Sequence, residues 1–170
     1  MSNSLFRGNV DAMSPYVPGE QPPAGARVVK LNTNESPYPP SPHVAKAVAE
    51  AAADLRLYPD PQAKSLRDAA GRVLGFERDW IIAGNGSDEL LAMLLRGFVE
   101  MDQIVAYPVP TYSLYKTLVR AHGAVIKEIP WPSDYTLPGE LSSCGAKLIF
   151  IARPNAPTGT VVSLESIREL

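Results

Sequence analysis

The sequence predicts an α/β fold, in which a mostly parallel β-sheet carries helices on both faces. From Trp80 onward, short apolar runs with strand character alternate with amphipathic runs at helical spacing, and this alternation is typical of a parallel sheet with crossover helices. Residues 147–152 are almost continuously apolar, as in a strand buried on both faces. The 170 residues are enough for one domain with a substantial core.

Composition and charge argue against several classes of function. The net charge is −2, and lysine and arginine are spread along the chain, so no basic stripe is available for nucleic acid or an anionic membrane. No apolar run approaches the ~18 residues of a membrane helix. One cysteine, Cys144, and two histidines rule out an internal disulfide and disfavour a metal site. These features favour a cytoplasmic protein.

The first 40 residues predict an arm and a loop rather than a core. Six prolines and glycines between Pro15 and Gly25 favour an extended arm that lies against another surface. Residues 28–31 predict a short strand, and residues 32–40 a polar loop. We therefore assign residues 1–40 to an arm with its loop and residues 41–170 to the main domain.

Two helices open the main domain. Ser41 and Pro42 provide an N-cap and a proline at the first helical position. After a break at residues 57–61, a second helix ends at Gly75. Each helix has one apolar face, formed by Val44, Ala47, Val48, Ala51, Ala52 and Leu55 in the first helix and by Ala63, Leu66, Ala70, Val73 and Leu74 in the second.

The rest of the chain predicts alternating strands and helices. Gly123 ends one of the helices, and Ser163 caps the last one. The predicted strands are residues 80–83, 104–107, 125–129 and 147–152, and the predicted helices are residues 87–98, about 111–122 and those after Ser163. In the helix at 87–98, the residues expected to face the core are Leu90, Leu91, Leu94, Leu95 and Phe98.

The start of the helix at Ser87 is a candidate anion site. Gly84 and Gly86 precede it, and the unpaired N–H groups at a helix start attract a phosphate. Ser87, Asp88 and Glu89 also suit a capped helix that binds nothing, so both interpretations stay open. A dinucleotide motif is disfavoured because Glu89 stands where its third small residue belongs.

Three loops follow the carboxyl ends of predicted strands, at residues 84–87, 107–112 and 153–159. Ligands of open α/β sheets bind beyond these strand ends. If the sheet brings the loops together, they offer an anion site, an aromatic face and an amide group. This combination suits a flat, phosphorylated ring.

Five short motifs occur in a fixed order. They are Asn-Glu-Ser-Pro-Tyr-Pro at 34–39, Tyr-Pro-Asp at 58–60, Gly-Ser-Asp-Glu at 86–89, Pro-x-Pro-Thr-Tyr at 108–112 and Pro-Asn-Ala-Pro-Thr-Gly at 154–159. Together they resemble the fold type I pyridoxal-phosphate-dependent aminotransferases, from about Pro15 to the last residue. The resemblance implies an enzyme with pyridoxal 5′-phosphate as its cofactor. Residues 41–170 would then be an incomplete cofactor-binding large domain, with part of its mixed, mostly parallel sheet.

The resemblance also implies roles for residues of the three loops. Ser87, Asp88 and Glu89 correspond to the helix start that holds the cofactor phosphate, and Tyr112 to the aromatic residue that stacks on the pyridine ring. Asn155 stands one position before the site of the asparagine that bonds the phenolic oxygen in the family, where this chain has an alanine. It either takes over that bond or acts as a turn residue.

Other roles extend beyond these loops. By resemblance, Tyr58 reaches the cofactor phosphate of the other subunit of a homodimer, and Tyr16, Asn34 and Glu35 line the substrate side. Within the family the likeness is greatest to enzymes of histidine biosynthesis, which transfer an amino group between L-histidinol phosphate, a phosphorylated amine, and 2-oxoglutarate. Other aminotransferases, or a threonine-phosphate decarboxylase of the same fold, stay open.

The family's Schiff-base lysine, like its acidic and arginine partners, follows the Pro-Thr-Gly loop, and no lysine of this chain lies in a matching motif. We expect solvated surface positions for all six lysines, namely Lys30, Lys46, Lys64, Lys116, Lys127 and Lys147. The chain alone is therefore expected to lack covalent catalysis and to be poorly stable, because a sheet edge would be left uncovered. A non-catalytic phosphate-ligand or partner-binding fragment and an inactive remnant are the alternatives.

Overall fold

The computed structural model describes residues 4–14, 21–23 and 25–170. These residues form two compact units. The sheet unit comprises residues 84–170 and the described residues before 15, and the helical unit comprises the described residues from 21 to 83. Tyr16, which is expected on the substrate side, lies outside the described residues.

Helices and strands alternate in the order that the sequence predicts from residue 87 onward. The α-helices formed by the described residues are α1 (Gly8–Asp11), α2 (Pro42–Ala51), α3 (Lys64–Leu74), α4 (Ser87–Phe98), α5 (Leu114–His122) and α6 (Leu164–Arg168). The strands are β1 (Ile104–Val109), β2 (Val125–Pro130) and β3 (Leu148–Ile149), and short 3₁₀ turns cover Ala52–Asp54, Arg78–Trp80 and Gly139–Ser142.

The sheet is parallel, with strand order β2-β1-β3. Ile104 of β1 pairs with Val125 of β2, and Val105 pairs with Leu148 of β3. Because side chains alternate across a strand, the two faces of β1 build two separate clusters. One is a core of Leu95, Val99, Val105, Tyr107, Tyr115, Val119 and Phe150, and the other contains Ala106, Ile129 and Leu141. The predicted α/β class is confirmed, with α4 and α5 on one face and the turn at Gly139–Ser142 on the other.

Two of the predicted strands are wrong and a third is too long. Residues 28–31 form no strand, and residues 80–83 contain the end of a 3₁₀ turn instead. The run at 147–152 contributes only Leu148 and Ile149. A strand is completed by hydrogen bonds from a neighbouring strand, and no other described segment pairs with the two missing ones. An apolar run in the sequence does not show whether another segment pairs with it.

The helix at residue 111 also differs from its prediction, because α5 begins at Leu114. Its end at Gly123 is confirmed, as are the start and end of α4. In α4, Leu95 is buried, but Leu94 and Phe98 are exposed, so the predicted inward face is too wide.

The helical unit shows helix ends set by local contacts. Ser41 Oγ accepts a hydrogen bond from His43 N at the start of α2. The Asp60 carboxylate accepts hydrogen bonds from the backbone N–H groups of Gln62 and Lys64, and these bonds lower the pKa of the carboxyl.

Within α3, a Cβ added at Gly71 would lie 2.6 Å from the Phe76 carbonyl oxygen. This close approach requires glycine.

The apolar face of α2 is exposed, and that of α3 is at most partly buried. No residue of α2 is buried, and Leu66 and Val73 of α3 are exposed. A helical apolar stripe needs a packing partner before it becomes core.

Part of the N-terminal arm is helical rather than extended. Residues Gly8–Asp11 form one helical turn that lies against the end of α5. Arg7 Nη2 donates to the Ala121 carbonyl oxygen, and Asn9 Nδ2 donates to the carbonyl of Arg120 over 2.8 Å. These side chains satisfy the carbonyls that a helix end leaves unpaired.

None of the helices formed by the described residues combines the length and hydrophobicity that crossing a bilayer requires.

Candidate functional site

The candidate anion site is the start of α4. Gly86 is its N-cap residue with φ +83°, and no side chain caps this helix start. Glu89, in the first turn, instead accepts a hydrogen bond from Asn85 N, at 2.5 Å from Oε2. Its carboxylate therefore holds the loop before the helix, and the N–H groups of the first turn present the positive end of the helix dipole.

Tyr112 lies beside this helix start. Its hydroxyl donates to Asp88 Oδ1 over 3.3 Å, although the two residues are 24 positions apart. Its ring also makes a T-shaped contact with Tyr115, with the ring centroids 5.6 Å apart. The structure thus brings the aromatic loop at 107–112, which follows the end of β1, beside the start of α4, although residues 80–83 form no strand.

Asn155 joins the third loop to the second. It is a buried polar residue, 2% exposed. Its Nδ2 donates to the Pro110 carbonyl over 3.1 Å and to Thr158 Oγ1 over 2.9 Å, and its Oδ1 accepts from Thr111 over 3.1 Å. Since an amide nitrogen carries two hydrogens, both donors of Asn155 are engaged within the protein.

A second anchor holds the aromatic loop from β2. Trp131 Nε1 donates to the same Pro110 carbonyl over 3.1 Å, and the Trp131 backbone N–H donates to Val109. The residues before Tyr112 are therefore tied to both neighbouring segments. Such multiple anchoring favours one fixed loop conformation.

The remaining candidate residues belong to the helical unit. The Tyr58 side chain is fully exposed. Asn34 has a left-handed φ of +54°, a conformation that asparagine tolerates better than most residues. Glu35 pairs with Lys30 at 2.8 Å, and the hydrogen bond and charge of Lys30 lower the pKa of the Glu35 carboxyl.

One of the six lysines departs from its expected position. Lys30 has a side chain only 20% exposed, so the expectation of a solvated surface position is wrong for this residue. Lys116 pairs with Glu128 at 3.1 Å. Lys127 pairs with Glu140 at 2.9 Å, and the hydrogen bond and charge of Glu140 raise the pKa of the lysine.

Within the part of the chain that the structure describes, no group of three acidic, histidine or cysteine side chains could hold a metal ion. The geometry instead combines an uncapped helix start, a tyrosine ring and a buried amide, all within the sheet unit. These groups suit an anionic, aromatic ligand.

A family model described as Aminotransferase class I and II matches residues 26–170. The chain belongs to this family. Histidinol-phosphate aminotransferase 1 of Trichormus variabilis is 48% identical over 169 residues, which are 98% of this chain and 48% of the relative. Histidinol-phosphate aminotransferase of Rhodopirellula baltica is 45% identical, over 97% of this chain and 46% of the relative.

A solved aminotransferase structure shares the fold. Histidinol-phosphate aminotransferase from Sinorhizobium meliloti, in complex with pyridoxal-5′-phosphate, superposes with a TM-score of 0.80 and 30% identity, over 94% of this chain and 45% of that chain. This aminotransferase chain therefore spans about half the length of the relatives that it matches.

Sequence reasoning missed the residues that join the aminotransferase loops. Thr111 and Thr158 lie inside recognised motifs, but their contacts with Asn155 cross up to 44 positions. Tyr115 lies three residues after Tyr112, a spacing that would place both on one face of the helix predicted from about residue 111. That spacing was the available signal for Tyr115. Trp131 offered no signal beyond being aromatic.

Proposed function

We propose that this chain supplies the phosphate-binding helix start and the ring-covering loop of a pyridoxal-phosphate-dependent aminotransferase. The observation that carries the proposal is the contact between the Tyr112 hydroxyl and Asp88 at the uncapped start of α4. When bound, pyridoxal phosphate would supply an aldehyde that accepts and returns the amino group and a ring that withdraws electrons. The groups present fit that cofactor, because N–H donors suit its phosphate and a tyrosine face suits its ring.

In this proposal the anion is held by Ser87 and the N–H groups of the first helical turn. Asp88 and Glu89 take positioning roles instead, since their carboxylates would repel a phosphate. Asp88 holds the Tyr112 hydroxyl, and Glu89 holds Asn85. The acidic pair thus orders the site without touching the anion.

For Asn155 we propose the structural alternative. Its two N–H groups bond Pro110 and Thr158, so a bond to a cofactor oxygen would require breaking one of them. Asn155 then acts by locking the loop after β3 to the loop after β1. This lock keeps Tyr112 near the helix start.

The remaining roles are proposed from the family resemblance, as one cofactor contact and three residues on the substrate side. Tyr58, which is fully exposed, is free to reach the cofactor phosphate of the other subunit in a homodimer. Asn34, Glu35 and Tyr16 would line the substrate pocket. The proposed activity is transfer of an amino group from L-histidinol phosphate, supported by the names of the relatives. The proposals of 2-oxoglutarate as the acceptor and of the cytoplasm as the location rest on the family resemblance and the composition.

The cofactor proposal is tested by titrating pyridoxal 5′-phosphate into the chain and following the quenching of tryptophan fluorescence. Ser87→Glu places a carboxylate at the first position of α4, where it suits the helix dipole but repels phosphate. We expect the Kd to rise about fivefold or more. Ser65→Glu, in the first turn of α3, is the matched control and should leave the Kd unchanged. Equal Kd values for pyridoxal 5′-phosphate in both variants would overturn the proposed phosphate-binding site.

The assignment of the covalent lysine is tested separately. We propose that the catalytic lysine is not among the six in this chain, so borohydride reduction in the presence of the cofactor should fix no single lysine. A stoichiometric adduct on one lysine, identified by peptide mass spectrometry, would refute this.

The reading frame after the Leu170 codon should continue into an acidic residue and a lysine. The continued protein should form glutamate from L-histidinol phosphate and 2-oxoglutarate.

A further inference from the structure

We infer that Tyr115 is a positioning residue, which sets the plane of the Tyr112 ring that would cover the cofactor. The inference rests on the proposed function, because it concerns the same site. Tyr115 lies in α5 and is 7% exposed. Its buried position means that it acts on a ligand only through Tyr112.

The contact between the two rings is specific in geometry. Their centroids are 5.6 Å apart and their planes are 85° apart, which is the T-shaped arrangement that aromatic pairs favour. The backbone strengthens the link, since Tyr115 N donates to the Tyr112 carbonyl over 3.2 Å. Tyr115 therefore fixes both the start of its helix and the neighbouring ring.

The hydrogen bond to Asp88 cannot orient the ring by itself. The hydroxyl of a tyrosine lies on the axis about which the ring turns, so a bond at that point holds the end of the side chain but permits rotation of the plane. The χ2 torsion of tyrosine is broad. A perpendicular neighbour against the ring restricts this rotation, and Tyr115 provides that neighbour.

Tyr115 is itself held by the core of the sheet unit. Its ring stacks on Phe150 with centroids 4.9 Å apart and planes 25° apart, and it lies 5.9 Å from the ring of Tyr107 in β1. Burial raises the pKa of the Tyr115 hydroxyl, so it stays neutral in the core. Phe150 and Tyr107 thus fix the Tyr115 ring, and the Tyr115 ring in turn fixes the plane of the Tyr112 ring.

The test compares Tyr115→Leu with Tyr115→Phe, using pyridoxal 5′-phosphate and inorganic phosphate as separate probes of the whole chain. Tyr115→Leu removes the ring contact and should raise the Kd for pyridoxal 5′-phosphate about two- to tenfold. The Kd for inorganic phosphate should not change, because the start of α4 is intact. Tyr115→Phe keeps the ring and should bind both probes like the unmodified chain.

Two further variants separate positioning from general loss of structure. Val119→Ala, in the same helix and the same core cluster, should leave the ratio of the two Kd values unchanged. In a Tyr112→Leu background, Tyr115→Leu should have no further effect on binding of pyridoxal 5′-phosphate, because the residue on which it acts is gone. If thermal unfolding shows that Tyr115→Leu does not fold, Tyr115→Met replaces it in both comparisons.

The outcomes distinguish this inference from the proposed function. An unmodified chain that does not bind pyridoxal 5′-phosphate overturns the proposed function. The positioning role alone is overturned if the unmodified chain binds pyridoxal 5′-phosphate and Tyr115→Leu binds it equally well. It is also overturned if Tyr115→Leu weakens the binding of both probes by the same factor. The positioning role is also overturned if Tyr115→Leu raises the Kd for pyridoxal 5′-phosphate as much in the Tyr112→Leu background as in the unmodified chain.

Discussion

The sheet unit and the helical unit contain helices of similar design but bury them to very different extents. Leu95 in α4 is 1% exposed, whereas Leu66 in α3 is 59% exposed. Both leucines lie on predicted apolar helix faces. The difference is that α4 and α5 pack against each other beside a parallel sheet, while α2 contains no buried residue.

This comparison separates two properties of a helix, namely where it ends and whether its apolar face is buried. Caps and end signals act over a few residues, and they place helix ends correctly in both units: Gly75 ends α3, and Gly123 ends α5. Burial depends on a partner that is distant in the chain. The same apolar spacing therefore predicts a helix in either unit, but predicts core only in the sheet unit.

The largest expected effect comes from truncating a core leucine. Leu95→Ala should lower the free energy of unfolding by about 2–5 kcal/mol, because it removes buried methyl groups and leaves a cavity. The matched change Leu66→Ala, on the exposed face of α3, should alter it by less than about 0.5 kcal/mol. Urea unfolding monitored by circular dichroism measures both. Similar losses for the two variants would mean that the face of α3 is buried in solution.

A smaller effect is expected from the buried amide that joins the loops. Asn155→Ala removes three hydrogen bonds and should lower the free energy of unfolding by about 1–3 kcal/mol. Asn85→Ala, at an exposed position, is the control and should have little effect. The same urea titrations apply. A neutral Asn155→Ala would contradict the proposed lock between loops.

The sheet unit should also show alkaline sensitivity. Burial, together with the charge of Glu128, raises the pKa of Tyr107, and burial raises that of Tyr115. A raised pKa gives stability that is complete below the unfolded value of about 10 and is lost as the pH rises towards the folded value. Unfolding measured from pH 8 to about 11.5 should show this loss. Tyr107→Phe should make the decline less steep, and an unchanged slope would contradict the assignment.

The smallest effect is expected from a local cap in the helical unit. Ser41→Ala removes the acceptor for His43 N and should destabilise α2 by about 1 kcal/mol, whereas Ser41→Gly should cost only a few tenths. Hydrogen exchange of the α2 amides provides the measurement, because it reports local opening. Equal exchange in Ser41→Ala and the unmodified chain would show that the cap contributes nothing.

The candidate site shows the same division between local and distant information. Ser87, Asp88 and Tyr112 could be selected from the sequence, because glycines before a helix and an aromatic loop after a strand are local patterns. The contact between Tyr112 and Asp88, and the role of Glu89 in holding Asn85, depend on the folded loops. The wrong strands at 28–31 and 80–83 have the same cause, because strands require hydrogen bonds from partners that an apolar run does not specify.

The sequence by itself determined the α/β class, the C-terminal ends of α3, α4 and α5, the family motifs and the set of residues that could form a phosphate site. Each of these depends on interactions within a few positions, or on residue types in a fixed order. Only the tertiary structure decided which leucines are buried, that Asn155 has no free donor, and that the rings of Tyr112 and Tyr115 meet at a right angle. These depend on how the folded segments pack against one another, which residue types and their spacing do not specify.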